Sequence, residues 1–270
     1  MFESHWEYTT NTTPQRYDNK IFTHMKYCDT TKLSIRLIDN TTAKRMVVKY
    51  HYSHLWSPKN SVALGLFYTT DNEHAFFDEP EEEMIGVITY GDPVGRLTSQ
   101  SISNILDKTS VYELTRLYIH DGYGSNIESW FISQSFNWLR TNRPKIKALI
   151  SYASPMEGHA GIIYQATNWI YQGNKIRYND SWLYKFDESG EWQHSRTIFP
   201  YYKSNNPQEI RKKVKSPFWI KKELRKHRYV YILAGKKEKK RILNNLKHPT
   251  FPYPKTSDIE TTEEVRLEPI

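Results

Sequence analysis

The stretch VYELTRLYIHDGYGSNIESWFISQSFNWL, residues 111–139, decides the fold. Residues 111–119 alternate between apolar and polar in the manner of a strand. Residues 127–139 place Ile127, Phe131, Ser135 and the Trp138–Leu139 pair on one helical face. Between them, Gly122 and Gly124 let the backbone turn sharply with its N–H groups exposed. A helix that starts directly behind such a turn favours an anion, because its first N–H groups lack partners within the helix. Gly122, Tyr123, Gly124 and Ser125 are therefore candidate ligands of a pyrophosphate. A plain connection would use the same glycines, so the turn alone leaves both readings open.

The flanks repeat the pattern. Residues 148–152 (ALISY) read as a buried strand, and residues 160–171 as a second helix with Gly173 as its stop. Upstream, 32–39 reads as a strand and 41–50 as a helix capped by Asn40 or Thr41. Residues 61–68 and 84–90 read as strands, with an acidic loop over 71–83. A loop over 92–100 and a short helix over 101–107 come next, and 178–186 returns as a strand. The first half implies antiparallel strands, and the alternating second half a parallel pair. The fold class is α/β, a mixed, partly parallel sheet flanked by helices.

The chain of 270 residues has room for one large domain with a sizeable core. Aromatics at 14% argue against disorder. The single cysteine, Cys28, excludes an internal disulfide framework or a cysteine zinc site and fits a reducing cytoplasm. The start MFESHWEYTT lacks a signal-peptide pattern, and no run of about 18 apolar residues is present, so no membrane association is expected.

Charge is unevenly spread. Residues 203–255 hold 17 Lys and Arg against 3 Asp and Glu, so a segment of +14 sits in a chain of +8 and the rest is −6. Such asymmetry suggests a dedicated polyanion surface. The segment interleaves rings with charge, and cations bind phosphates while rings stack on bases. Lys221, Lys222, Arg225, Lys226, Arg228, Lys236 and Lys237 are its candidate DNA contacts. Residues 228–233 read equally well as an amphipathic strand of the domain. The expected organisation is a loose arm (1–31), a catalytic domain (32–200), a basic C-terminal extension packed on it (201–255) and an acidic disordered tail (256–270).

A second block lies downstream of the first: Leu149-Ile-Ser-Tyr-Ala-Ser-Pro155, then Gly158-His-Ala-Gly-Ile-Ile-Tyr164-Gln-Ala-Thr-Asn-Trp169. Together the two blocks resemble the core of the GNAT N-acyltransferase fold. That resemblance implies acetyl-CoA or a related acyl-CoA held by the strand, loop and helix, with the next strand splaying away. Tyr164 matches the tyrosine that serves there as general acid toward the leaving thiolate.

Within that fold the chain is most similar to the phage Mom-type DNA modification proteins. The carrying residues are His51-Tyr-Ser-His54, Glu113-Leu-x-Arg116-Leu, Leu149-Ile-Ser-Tyr-Ala153 and the string from Gly158 to Trp169, within about 50–173. The resemblance implies phage origin, the cytoplasm of an infected bacterium and double-stranded DNA as substrate. It also implies a carbamoylmethyl-type group added to the exocyclic amine of adenine, which blocks host restriction. The sequence departs from the family's Ser-Tyr-Ala-Asp at Ser154, so a carboxylate needed there must come from elsewhere, such as Asp121 or Glu157.

The remaining candidates rest on residue chemistry and this resemblance. His51 or Tyr52 would deprotonate or position the base amine. His51 and His54 together would ligate iron or another divalent metal, although two histidines are too few alone. Arg116 reads at the parity of Leu114 and Tyr118, and a buried arginine needs an anion: cofactor phosphate, substrate, or Glu113 or Asp121. Ser151 and Tyr152 end a strand where ligands bind in α/β sheets. His159 caps a helix or faces the acyl site. Trp138 and Trp169 are core. An amine engaged in a base pair requires the base to flip. Two alternatives remain: acyl transfer to another modified base or small amine, and DNA binding without catalysis. The oligomeric state, a dimer included, stays open.

Overall fold

The computed structural model describes residues 27–70, 81–95, 97–174 and 181–270. The expected arm over 1–26, most of the acidic loop and the start of the 178–186 strand lie outside the described residues.

Strand β1 (Leu33–Leu37) leads into helix α1 (Asn40–Tyr50). The N-cap is Asp39, whose carboxylate accepts from the Thr42 N–H at 2.9 Å, and not Asn40 or Thr41 as expected. Both of those lie within the helix, and aspartate ranks among the best caps. Strands β2 (Asn60–Thr70), β3 (Glu81–Gly91) and β4 (Val111–Ile119) come next. The last three residues of the expected acidic loop thus belong to β3. Residues 101–107 form turns rather than a helix, with Ser103 bridged to Leu246 and Ile102 and Leu106 in the core beside Ile242.

Helix α2 (Ile127–Asn142) buries the expected face, widened by Ile132 and Phe136, and Trp138 packs at its margin. After β5 (Ala148–Ala153), the expected second helix shrinks to α3 (Ile162–Ala166). Asn168, at φ 59°, turns the chain, and Ile170–Tyr171 becomes strand β6. Gly173 does not end a helix; it lies beyond β6, and its carbonyl accepts from the Arg228 N–H at 2.9 Å.

The chain then builds β7 (Trp182–Lys185), β8 (Gln193–His194), α4 (Ser195–Tyr202), α5 (Pro207–Arg211) and β9 (Phe218–Lys222). It returns through β10 (His227–Ile232) and α6 (Lys236–Leu243), and ends in β11 (Glu264–Leu267). The main sheet has the order β1-β2-β3-β4-β5-β10-β6, and a second sheet the order β11-β9-β7-β8. Of all these pairs only β4 and β5 run parallel, so the sheet is mixed as expected.

The sheets divide the chain differently from the expected boundary near 200. β10, in the basic segment, is an interior strand of the main sheet, while β7 and β8 belong to the second. The tail expected to be disordered closes the second sheet, because β11 pairs with β9. One face of the main sheet packs on α2 through Leu114, Phe131, Phe136, Leu149 and Trp169. The other is covered by α1 at one end, and by Ile102, Leu106 and Ile242 at the other.

Candidate active site

β4 and β5 are paired only from Val111↔Ala148 to Glu113↔Ile150. Beyond that they splay, leaving a gap between the rest of β4 and the end of β5, and Tyr164 from α3 reaches into it. Its hydroxyl lies 2.8 Å from Ser151 Oγ, which lies 3.0 Å from the Leu114 carbonyl oxygen. The carbonyl only accepts. When Ser151 gives it its single proton, the Tyr164 hydroxyl donates to Ser151; when Tyr164 loses its proton, Ser151 can turn and donate to it. Burial, with the charges of Tyr52, Glu113 and Tyr229 adding, pushes the Tyr164 phenol up to about 12. At neutral pH it is a proton donor.

Gly161 sets the entry to α3. It sits at φ 82°, and a Cβ there would lie 2.5 Å from the Tyr229 ring. The Tyr229 ring stacks near Tyr164 at 5.1 Å, and its hydroxyl donates to the Ala160 carbonyl at 2.5 Å.

Arg116 departs from the expected parity. Thr89 pairs with Arg116 and Tyr90 with Leu114, so Thr115 is an extra residue in β4. Such a bulge moves the residues beyond it to the opposite face. Leu114 packs on the α2 side with Leu117 and Ile119, while Tyr118 packs on the α1 side. Arg116 goes with Tyr118. Its Nε donates to the Leu55 carbonyl at 2.8 Å and its Nη1 to that of Thr115 at 2.5 Å. It thereby ties the 51–59 loop to the bulge.

His51 is buried at the end of α1. Its Nδ1 accepts from the Ser53 N–H at 3.1 Å, so the neutral ring carries its proton on Nε2. Burial first, then the charges of Arg116, His54 and His159, lowers its pKa to about 4. The neutral ring presents an Nε2–H donor, while Nδ1 is engaged by Ser53. The Tyr52 ring stacks on His51 at 4.2 Å and faces His159 at 5.6 Å. His54 Nδ1 is held by the Val48 carbonyl at 2.9 Å. Among the described residues no group of three or more His, Cys, Asp or Glu is placed to hold a metal. Among these residues the expected pair of histidines gains no further ligand, and both Nδ1 atoms are already engaged by Ser53 and Val48.

Ser154 is buried, and its carbonyl accepts from the N–H groups of Glu157 and His159, both at 3.1 Å. It shapes the turn before α3 and brings no charge. Two carboxylates stand near instead. Glu157 is close enough to raise the Tyr52 pKa by its charge. Glu113 has a pKa raised by burial and opposed by the Val94 N–H and by Arg116, Lys226 and Lys59. Asp121 acts on Tyr118, away from this cluster. In the sequence Glu113 stands out only as a motif residue and possible partner of Arg116. It occupies the last paired register of β4, a position that only the pairing with β5 reveals.

Two cofactor candidates change. Tyr152 points away from Ser151, packs with the Ile102 cluster and accepts from Arg228 at 3.4 Å, so it leaves the cofactor set. The Tyr123 hydroxyl donates to Glu83 at 2.9 Å, which leaves only its backbone for a ligand. Gly122 and Gly124 adopt φ 101° and 99° as a turn requires, and α2 has no side-chain cap at Asn126. Gly124 also meets the chain itself, for a Cβ there would lie 2.6 Å from Cys28 N. Ser125 is exposed at the same turn.

Of the candidate DNA contacts, Lys222, Lys226, Lys236 and Lys237 are exposed and Arg225 is half-buried. Lys221 stands 4.1 Å over the Trp192 ring. Arg228 is corrected: it is buried, and its guanidinium donates to Gln172 at 2.8 Å and Ser101 at 2.9 Å. Arg228 shares the face of β10 that carries Val230 and Ile232, and the turns around Ile102 together with Ile242 of α6 cover that face.

A family model described as the Mom protein family matches residues 32–255. The methylcarbamoylase Mom of Escherichia phage Mu is 25% identical over 224 residues, 83% of this chain and 84% of that protein. Among solved structures, an N-acetyltransferase from Staphylococcus aureus Mu50 is 12% identical, with 74% of this chain and 97% of that one covered and a TM-score of 0.36. A spermidine N-acetyltransferase from Vibrio cholerae, in complex with CoA and spermine, is 8% identical, with 75% and 96% covered and a TM-score of 0.37. Scores at that level carry no argument about the site.

Proposed function

The chain belongs to the Mom protein family, and from that premise we propose that it is a transferase that modifies DNA. In the finer reading it adds an acyl-derived group of the carbamoylmethyl type to the N6 amine of adenine in double-stranded phage DNA. The modified base shields the DNA from restriction in the cytoplasm of the infected host. The phage Mu relative's name, methylcarbamoylase, supports this kind of group. The observation that carries the reading is the convergence of Tyr164, Ser151, Arg116, His51 and Tyr52 around the gap between β4 and β5.

The adenine amine is tied up in a base pair, so the base must leave the stack to meet a recessed cleft. Tyr52, 55% exposed, offers a ring at the mouth. His51 donates from Nε2 and orients the incoming base. Glu113, with its raised pKa, is the group suited to accept a proton from the amine. Tyr164 donates a proton to the leaving group, and Ser151 then steadies the phenolate. Gly122, Tyr123, Gly124 and Ser125, with the first turn of α2, would hold the pyrophosphate of an acyl-CoA. That group, when bound, would supply an activated carbonyl for acyl transfer; a carbamoylmethyl group is joined to N6 through its CH2 carbon, so its formation requires a further step or another donor.

The test is digestion of DNA from cells expressing the protein, then mass spectrometry of the nucleosides. A mass shift on deoxyadenosine is expected, lost in Tyr164→Phe while DNA binding persists. Unmodified deoxyadenosine with the wild-type chain, or undiminished modification in the variant, overturns the reading.

A further inference from the structure

The two faces of the second sheet differ. Tyr184, Phe218 and Ile220 pack inward against Ile198 and Ile210. On the other face the register sets Arg266 beside Trp219 and Trp219 beside Lys185. The Lys185 ammonium lies 5.1 Å from the Trp192 ring and 5.3 Å from that of Trp219. Lys221 stands 4.1 Å over Trp192, and the Arg266 guanidinium 5.7 Å over Trp219. Two indoles thus alternate with three cations.

Arg266 pairs with Glu268 at 3.3 Å, and the two lysines have less. Among the described residues Lys185 and Lys221 share one carboxylate, Glu264, at 3.8 and 3.9 Å. Their side chains are only 14% and 17% exposed, whereas Glu264 is 49% exposed. The lysine stems lie along the indoles while their ammonium groups share a single, more exposed carboxylate, and the ring faces hold those cations in place. A polyanion that carries flat rings would supply both charge and stacking. That description fits a nucleic-acid strand whose bases are unpaired. β9 also leads toward the site: a short connection beyond Lys222 carries Lys226, whose charge acts on Glu113.

We propose that this face, built from Trp192, Trp219, Lys185, Lys221 and Arg266, docks an unpaired stretch of DNA next to the base being modified. The inference rests on the reading of the chain as a DNA-modifying enzyme. Extruding one base loosens its neighbours, and a platform that stacks them favours the extruded state.

The test is fluorescence anisotropy of the full chain, without donor, titrated onto a labelled single strand and onto the duplex of the same sequence, over a range of salt. Single-strand affinity should fall about tenfold in the Trp192→Leu, Trp219→Leu double variant and recover when both are Phe. Lys185→Gln with Lys221→Gln should lower the slope of log affinity against log salt by about 1.4. Thermal melts report whether each variant folds, and if the leucine variant does not, the salt slope decides. Wild-type affinity and slope in folded variants, or no single-strand binding by the wild type, overturns the inference. Nucleoside mass spectrometry separates the two claims. Modification by the wild type alongside unchanged single-strand binding in the variants sinks this surface alone. A wild type that modifies nothing sinks the enzymatic reading, while the anisotropy still decides the surface.

Discussion

Tyr164 Oη lies 2.8 Å from Ser151 Oγ, across the gap where β4 and β5 part. The pair exists because β5 turns Ser151 toward that gap while Gly161 lets α3 start close against Tyr229. Both hydroxyls are buried; Tyr164 is held by Ser151, and Ser151 also reaches the Leu114 carbonyl.

Ser151→Ala should therefore act on chemistry and on stability. Loss of the donor leaves a buried phenol with one partner fewer, at a cost of about 1–3 kcal/mol. The Tyr164 phenol, which Ser151 holds down, should rise further. Modified deoxyadenosine should drop by about 100-fold, in keeping with the loss of one hydrogen-bond donor to a developing oxyanion. Urea unfolding and nucleoside mass spectrometry give the two numbers.

Acid should weaken the fold through His51. Its pKa falls from 6.5 to about 4 on burial, so between those values the unfolded chain binds the extra proton and the folded chain does not. Stability is then present above pH 6.5 and is lost as the pH falls toward 4. Melting temperatures taken from pH 7 to 4 should decline less steeply in His51→Gln than in the wild type. Equal slopes would show that another group controls this window.

Arg228 and the α6 lysines should separate cleanly. Arg228→Met strands Gln172 and Ser101 in the interior and should cost about 3 kcal/mol. It should leave the salt dependence of DNA binding unaltered, since its side chain does not reach solvent. Lys236→Gln with Lys237→Gln should do the reverse, lowering that slope by up to about 2 at little cost in stability. Chemical unfolding and binding over a salt series check both.

Two glycines before Tyr164 give an internal comparison. Gly158 and Gly161 both have positive φ, at 71° and 82°, but a Cβ at Gly158 meets nothing within 4 Å. Gly158→Ala should cost about 1–2 kcal/mol from backbone strain alone. Gly161→Ala adds a clash with the Tyr229 ring, so it should cost more and displace α3, with modification lost alongside stability.

Much of this protein was legible in its sequence because local physics settles it. Short apolar runs over β2, β3 and β5, alternation over β4 and the apolar face of α2 each reflect burial within one element. The motifs around His51, Arg116, Ser151 and Tyr164 named residues that the fold brings near one another. Asn168, a residue tolerant of positive φ, was a local sign that α3 would stop early. The features that the tertiary structure alone decided depend on distant partners. Trp169 to Tyr171 leaves the helix because β10 arrives to pair with it. Arg116 changes face because β3 and β4 differ by one residue at Thr115. Arg228, in the most basic part of the chain, is buried because the turns around Ile102 and helix α6 cover its face of the sheet. The acidic tail is ordered because β9 offers it an edge. Periodicity within an element cannot register any of these, since each is set by pairing between strands far apart along the chain.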